Sequence, residues 1–171
     1  MPKGSKGVDG RIVPFELSPM PGTSLLYRGT VRLATALLPA ASLFDAKLKR
    51  GDSARRGALD RLTAWAHRER DRSRPLVWFH APSVGEGLQA EAVLRPIRER
   101  HPEWQVVYTH FSPSAEPLAR RIGASVFDYL PYDTPQAARH LLDALAPSAL
   151  VFSKLDLWPE LATRAAARRV P

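Results

Sequence analysis

The fold is decided by the stretch Leu76-Val77-Trp78-Phe79-His80-Ala81-Pro82-Ser83-Val84-Gly85-Glu86. Its first four residues form an apolar run that predicts a buried strand, and residues 88–100 predict a helix. A short turn of small and polar residues joins the two segments. Turns of this kind carry ligand sites in parallel α/β sheets, because strand ends face helix N-termini there. Glu86 opens the helix and is therefore the first candidate for chemistry.

The rest of the chain from residue 75 onward repeats this strand and helix alternation. Strands are expected at 76–80, 105–111, 125–130 and 148–153, and helices at 85–100, 114–121, 135–145 and 159–169. Short apolar strands that alternate with amphipathic helices predict right-handed βαβ units. We therefore expect an α/β fold over residues 75–171, with a Rossmann-like parallel sheet flanked by helices. The last helix ends where another strand is expected, which indicates a truncated chain.

Composition narrows the class of protein. The chain has 171 residues, no cysteine and a formal net charge of +8. The absence of cysteine excludes disulfides and thiolate metal sites. All of the excess positive charge lies within residues 1–74, so the α/β part is close to neutral. Because no aromatic and basic residues interleave in the α/β part, we expect no nucleic-acid partner.

The first 74 residues divide into three segments. Residues 1–23 are rich in Gly, Pro and Ser, which predicts a flexible N-terminus without a secretory signal. Residues 24–48 form an apolar helix candidate whose uncharged run, 33–44, is shorter than the roughly 20 residues that span a membrane. Either this helix lies in the plane of a membrane, with Arg28 and Arg32 at headgroup level, or it packs on the soluble domain.

Residues 49–74 are basic, and Leu59, Leu62, Trp65 and Ala66 recur among them at helical spacing. This pattern predicts an amphipathic basic helix. Its cations either attract anionic lipid headgroups or form an ordinary solvated helix face. Together with the apolar helix before it, the segment indicates a membrane-docking region over residues 24–74.

Glu86 has two interpretations. Ser83 and Glu86 match a capping box, in which Ser83 caps the helix and Glu86 reaches back to the Ser83 N–H. Alternatively, Glu86 is a general base, and the helix N-terminus keeps its carboxylate ionised. In that case Gly85 lets a substrate approach the backbone closely.

Polar residues follow the other strands as well. Ser112 and Ser114 open a helix after the second strand, where they either hold an anionic group or cap the helix. Lys154 and Asp156 follow the fourth strand, just before Trp158-Pro159, which fits either ligand contact or helix-start packing. His80 and His110 end adjacent strands, but no third ligand accompanies them, so we expect no metal and no other cofactor.

Taken together, three motifs in this order resemble a family: His80-Ala81-Pro82-Ser83-Val84-Gly85-Glu86, then Tyr129-Leu130-Pro131-Tyr132-Asp133, then Asp156-Leu157-Trp158-Pro159. They look like the N-terminal half of the 3-deoxy-D-manno-octulosonic acid (Kdo) transferases. The Ser112-Pro113-Ser114 turn falls where that family has a Thr/Ser-Pro-Thr-Gly-like turn. The resemblance covers roughly residues 24–171.

The resemblance implies a two-domain glycosyltransferase of GT-B architecture on the cytoplasmic face of the inner membrane. Such an enzyme transfers Kdo from CMP-Kdo to a lipid A precursor with inversion and without a metal, in lipopolysaccharide biosynthesis. By the same resemblance Glu86 is the general base. From their places after the strand ends, we also expect substrate to be bound by Ser83, Gly85, Ser112, Ser114, Lys154 and Asp156. The acceptor binds the N-terminal half, and CMP-Kdo binds mainly the C-terminal half.

Three departures from the family pattern stand out. Lys154 and Asp156 occupy positions where the family usually has Glu, and Ala115 stands where it favours Gly. The donor half is missing, so this chain alone is expected not to catalyse transfer. These departures leave a second hypothesis open, a non-catalytic membrane-associated binding module derived from the family.

Overall fold

The computed structural model describes residues 23–41, 46–154 and 157–171. Apart from its last residue, the predicted flexible N-terminus lies outside the described residues. Four strands form one parallel sheet in the order β3-β2-β1-β4. They are β1 Leu76–His80, β2 Gln105–His110, β3 Val126–Tyr129 and β4 Ala149–Phe152. The α/β class, the parallel sheet and all four predicted strands are confirmed.

Within the described residues seven α-helices accompany this sheet. They are α1 Leu25–Ala41, α2 Ala46–Arg55, α3 Ala58–Glu69, α4 Val84–Arg100, α5 Glu116–Arg121, α6 Pro135–Leu145 and α7 Pro159–Ala167. A short 3₁₀ turn, Pro113–Ala115, precedes α5. The start of α6 follows from the sequence, because the Thr134 hydroxyl accepts a hydrogen bond from the Ala137 N–H and proline occupies the first turn.

The sheet has a core on each face, because successive strand residues point to opposite sides. Trp78 of β1 packs with α3, α6 and α7, whereas Val77 and Phe79 pack with α4 and α5. Every residue of β1 and β2 is buried, which is the pattern of a central parallel strand covered on both faces. Helix α4 therefore lies on one face and α7 on the other.

The basic segment 49–74 forms two helices rather than one. Gly57 adopts a positive φ of 75°, a conformation that glycine tolerates, and separates α2 from α3. The apolar stripe of α3, including Leu62 and Trp65, is buried in the core beside α6. In addition, the Arg61 guanidinium forms an ion pair with the Asp128 carboxylate of β3 at 2.7 Å. Helix α3 is therefore structurally part of the α/β domain.

Helix α1 is attached to the domain by polar contacts at its first turns. The Tyr27 hydroxyl donates a hydrogen bond to the Asp133 carboxylate at 2.7 Å, and the Arg28 guanidinium lies 2.9 Å from the Glu160 carboxylate. The opposite surface of α1 is apolar and exposed, with Leu25, Leu26, Leu33 and Leu37. None of the described helices is long and apolar enough to cross a membrane. The helix packs on the domain and still presents an apolar face.

Candidate functional site

The carboxyl ends of β1, β2 and β4 are joined by main-chain hydrogen bonds. The Pro82 carbonyl accepts hydrogen bonds from the N–H groups of Phe111 and Ser112, at 3.1 and 2.8 Å. On the other side of β1, the Ser153 N–H donates to the His80 carbonyl at 2.8 Å. These bonds extend the sheet ladder into the loops. The three loops therefore lie side by side at one edge, as the parallel topology predicted.

Glu86 lies in the first turn of α4, beside the loop that follows β4. The Ser83 hydroxyl donates a hydrogen bond to its carboxylate, and the Lys154 ammonium lies 3.5 Å from Oε1. The Ser153 hydroxyl donates to the main-chain carbonyl of Glu86 at 3.1 Å. The Glu86 side chain is 18% exposed, so it is partly open to solvent. Three of the residues selected from the sequence thus meet: Ser83, Glu86 and Lys154.

These neighbours determine the ionisation of Glu86. The hydrogen bond from the Ser83 hydroxyl is the main cause that lowers the pKa of Glu86 below its usual value. The N–H of Glu86 itself and the Lys154 ammonium lower that pKa further. The carboxylate is therefore ionised at neutral pH and can accept a proton from a bound hydroxyl. The same lowering makes it a weaker base, so a reaction through Glu86 needs close alignment with that hydroxyl.

The predicted capping box does not form. Ser83 is the residue before the first turn of α4, as expected, but its side chain makes no capping hydrogen bond. A capping box requires the hydroxyl to accept from the N–H three residues later. Instead, the Ser83 hydroxyl donates to the Glu86 carboxylate. The predicted capping hydrogen bond is therefore wrong, and the Glu86 carboxylate faces Lys154.

Two glycines near Glu86 differ in how much space a side chain would have at each position. A Cβ at Gly85 would meet only the Ser83 hydroxyl oxygen, at 3.9 Å, so the surface beside Gly85 is open. A Cβ at Gly87 would lie 2.5 Å from Leu118 Cδ2 and 2.8 Å from the Tyr108 hydroxyl oxygen. Gly87 therefore allows α4 to approach the sheet closely. The sequence reasoning missed Gly87, although an isolated glycine in a helical pattern signals such a contact.

Replacing Gly87 with alanine is expected to lower the free energy of unfolding by about 1–3 kcal/mol, because the added methyl overpacks a filled contact. Urea denaturation of the chain measures this loss. Gly85→Ala is the matched control in the same turn of α4. It should change stability by no more than about 1 kcal/mol, since the site has room and alanine favours a helix. Equal losses in both variants would contradict the proposed packing role of Gly87.

Ser112 and Ser114 lie in the turn after β2. Their hydroxyl oxygens are 2.8 Å apart and hydrogen-bonded to each other, and Ser112 does not cap the 3₁₀ turn with its side chain. Within the described residues, no hydrogen bond joins either hydroxyl to Glu86. The turn therefore borders the same edge of the sheet as Glu86, but it forms a separate group of donors.

His80 and His110 lie on opposite faces of the sheet. The ladder pairs His80 with Thr109, and the His80 Nδ1 lies 3.0 Å from the Thr109 hydroxyl. His110, the next residue of β2, points the other way, and its ring lies 4.1 Å from the ring of Tyr129. The two side chains are therefore not neighbours that could share a ligand. The described part of the chain contains no group of three side chains that could hold a metal.

The other residues selected from the sequence either lie outside the described residues or have structural roles. Asp156 lies outside the described residues. Trp158 packs edge-on against the ring of His80 at 5.5 Å and against Phe111 at 5.3 Å, which supports the packing interpretation. Asp133 is buried, and its carboxylate accepts hydrogen bonds from the N–H groups of Glu160 and Leu161, so it caps α7.

The sequence reasoning also missed Arg55, the last residue of α2. Its buried guanidinium donates hydrogen bonds to the main-chain carbonyls of Phe111 at 2.8 Å and Leu130 at 3.2 Å. It also donates to the Tyr132 hydroxyl at 3.0 Å and lies 3.7 Å above the Phe111 ring. Arg55 thus joins α2 to the ends of β2 and β3. No local pattern distinguishes this arginine from the exposed basic residues around it.

Comparison with protein families gives a match over residues 55–171, more than half of the chain, to the family described as 3-deoxy-D-manno-octulosonic-acid transferase (kdotransferase). The matched region begins at Arg55 and includes α3, the whole sheet and the edge that carries Glu86. No solved structure matches the chain significantly.

Curated relatives carry the same name. The chain is 41% identical over 88 residues to the 3-deoxy-D-manno-octulosonic acid transferase of Chlamydia trachomatis serovar D, which covers 49% of this chain and 20% of the relative. It is 30% identical over 97 residues to that of Haemophilus influenzae, or 56% of this chain and 23% of the relative. A probable mitochondrial transferase of Arabidopsis thaliana is 33% identical over 98 residues, 56% of this chain and 22% of the relative. The matched region thus spans about a fifth of the relatives' length.

Proposed function

Because the chain belongs to the Kdo transferase family, we propose that it is the acceptor-binding part of an enzyme that transfers Kdo from CMP-Kdo to a lipid A precursor. The observation that carries this proposal is the accessible Glu86 carboxylate, held ionised by Ser83 and Lys154 at the carboxyl edge of the sheet. In this proposal the chain is the N-terminal half of a GT-B enzyme, and a second Rossmann-like half binds the donor.

The proposed reaction is a single displacement with inversion. An acceptor hydroxyl lies beside Glu86 and loses its proton to the carboxylate as its oxygen attacks the anomeric carbon of Kdo. The new bond joins the acceptor oxygen to that carbon, and the bond from the carbon to the CMP phosphate breaks. The leaving CMP keeps the electron pair, and Glu86 ends the step protonated. No residue of the described chain is required to form a covalent intermediate.

Exposed apolar side chains around the start of α4 support a lipid acceptor. Val84 and Leu88 are exposed and lie one helical turn apart on α4, on a different side of the helix from Glu86. Leu157, after the loop that carries Lys154, is also exposed. An apolar surface around the helix end that carries the carboxylate suits an acceptor that presents a sugar hydroxyl beside its acyl chains.

A chimera tests the proposal. In it, residues 55–171 of this chain replace the matching region of the Haemophilus influenzae relative, and that relative supplies the rest of the enzyme. We expect the purified chimera to transfer Kdo from CMP-Kdo to a lipid A precursor. A chimera that has the circular dichroism of a folded α/β protein but yields no product would contradict the proposal.

We also propose that α1 docks the chain on the cytoplasmic face of the inner membrane. Leu26, Leu33 and Leu37 recur at seven- and four-residue spacing, which places them on one side of the helix. The cations of α2 lie next in sequence and attract anionic headgroups. An in-plane helix with nearby cations combines two weak membrane signals, and such a combination gives stable anchoring.

Replacing Leu26, Leu33 and Leu37 together with serine is expected to weaken binding to phosphatidylglycerol-containing vesicles by more than about tenfold. Full burial of one leucine contributes on the order of 1.5–3 kcal/mol, so partial burial of three suffices for this loss. Vesicle sedimentation measures the binding. The control is Val93→Ser, which removes an exposed apolar side chain from α4. If the triple variant and the control bind equally well, α1 does not dock on the membrane.

The contact between Lys154 and Glu86 favours a second candidate function, a non-catalytic membrane-associated binding module. A cation 3.5 Å from the carboxylate opposes protonation and therefore lowers its strength as a base. Such a module retains acceptor and membrane binding without transfer. A folded chimera that binds lipid A precursor vesicles but forms no Kdo product would favour it.

A further inference from the structure

An open cleft of about 750 Å³ lies between α2 and the turn after β2. Its lining includes Arg50 and Ser53 from α2, Ser114 from the turn, and Glu116 and Tyr129 beyond the turn. Because that turn is hydrogen-bonded to the loop of Glu86 through the Pro82 carbonyl, the cleft borders the proposed acceptor site.

The walls of the cleft are held together at two points along α2. Arg55 donates a hydrogen bond from α2 to the main-chain carbonyl of Phe111, which directly precedes the turn. About one helical turn earlier, Gly51 faces Pro113, and a Cβ there would lie 3.5 Å from Pro113 Cγ. Arg50 and Ser53 are therefore carried by a helix whose position over the turn is fixed.

The donors that face the cleft are not fully used by the protein. Among the described residues, Arg50 has no carboxylate partner, and its side chain is exposed. In the pair of Ser112 and Ser114, one hydroxyl donates to the other, so one hydroxyl proton remains for a ligand. The Ser53 hydroxyl is exposed on the same side of α2.

The acidic member of the cleft is neutralised. The Glu116 carboxylate forms an ion pair with Arg120 and accepts a hydrogen bond from the Tyr129 hydroxyl at 3.2 Å. These contacts pair the negative charge of Glu116 with groups on its own side of the cleft. The unpaired charge among the residues of the cleft is therefore the positive charge of Arg50.

We propose that this cleft is a phosphate subsite of the acceptor, in which Arg50, Ser53 and Ser114 donate to the oxygens of a phosphate monoester. The inference rests on the proposed function, because it places the phosphate on the lipid whose hydroxyl meets Glu86. A guanidinium and two hydroxyls that converge from two elements suit the several oxygens of a phosphate monoester. The subsite orients the acceptor and takes no part in proton transfer.

The test begins with inorganic phosphate and the 171-residue chain. In an NMR titration of the ¹⁵N-labelled chain, the amide signals of Ser53 and Ser114 should shift saturably. Arg50→Gln should weaken the apparent affinity by about tenfold, the loss of one charge-assisted contact. Arg100→Gln removes the same charge at the far end of α4 and should leave the affinity unchanged. Absence of saturable shifts, or equal losses in both variants, would overturn the phosphate subsite.

A second arm separates a lipid phosphate from free phosphate. Phosphatidylcholine vesicles with phosphatidic acid carry a phosphate monoester, whereas those with phosphatidylglycerol carry only a diester. Arg50→Gln should weaken binding to the phosphatidic acid vesicles by about tenfold and binding to the phosphatidylglycerol vesicles much less. Equal weakening on both would overturn the assignment to the acceptor lipid. Both arms measure binding, so their failure is independent of Glu86 and of Kdo transfer by the chimera.

Discussion

Replacing Glu86 with glutamine in the chimera is expected to lower kcat for Kdo transfer by about 10²- to 10⁴-fold, the usual contribution of a general base. The amide keeps the size of the side chain but cannot accept the proton of the acceptor hydroxyl. The fold of the chimera should be unchanged, because Glu86 lies in the first turn of α4 and is not part of either core. Initial rates with saturating CMP-Kdo and lipid A precursor measure the effect.

The pH dependence of the chimera gives a second measure of the same role. The Ser83 hydrogen bond lowers the pKa of Glu86, so the carboxylate remains ionised to a lower pH than an ordinary glutamate does. The acid limb of kcat/KM should therefore lie below the usual pKa of glutamate and disappear in Glu86→Gln. Glu91→Gln, further along α4, is the matched control and should keep both the rate and the limb. A Glu86→Gln chimera with an unchanged rate would remove Glu86 from the mechanism.

Replacing Arg55 with leucine is expected to lower the free energy of unfolding by about 2–5 kcal/mol. The carbonyls of Phe111 and Leu130 lose their guanidinium donor, and each unsatisfied buried carbonyl costs about 1–3 kcal/mol. The contact of the guanidinium with the Phe111 ring, worth about 0.5–2 kcal/mol, is lost as well. Urea denaturation, followed by tryptophan fluorescence, measures the change.

The neighbouring arginine provides the control. Arg56 has a side chain that is 63% exposed and pairs with Asp52 on the same helix, so Arg56→Gln should cost less than about 1 kcal/mol. Arg55→Leu should also disturb the amide signals of Ser112 and Ser114, because Phe111 precedes them directly. If the two variants are equally stable, Arg55 does not hold α2 on the sheet.

The strands and helices of residues 75–171 could be predicted from the sequence because their patterns are local. Buried parallel strands contain apolar runs, as β1 does at residues 76–79 and β2 at residues 106–108. The cap at Thr134 and the proline after it mark the start of α6 in the same way. Once four strands are parallel, their carboxyl ends share one edge, so the neighbourhood of Glu86 and Lys154 was predictable as well.

The N-terminal region was less predictable, because its helices combine two kinds of surface. The apolar residues of α3 are core residues, whereas the leucines of α1 remain exposed, and hydrophobic periodicity is the same in both cases. The two helices differ in what they pack against. Helix α3 lies against α6, while α1 contacts the domain through Tyr27 and Arg28 and leaves its leucines outward. The membrane interpretation of residues 24–48 stays a prediction for the vesicle experiment.

The sequence by itself determined the α/β class, the parallel sheet, the family and the place of Glu86 at a helix start, since each follows from residue pattern along the chain. Tertiary structure decided what each polar side chain does, because a hydrogen bond depends on which donor lies nearest in space. In the folded chain the Ser83 hydroxyl donates to the Glu86 carboxylate instead of capping the helix, and Arg55 is buried whereas its neighbouring arginines are exposed. Tertiary structure also separated His80 from His110, because ladder register sends consecutive side chains to opposite faces.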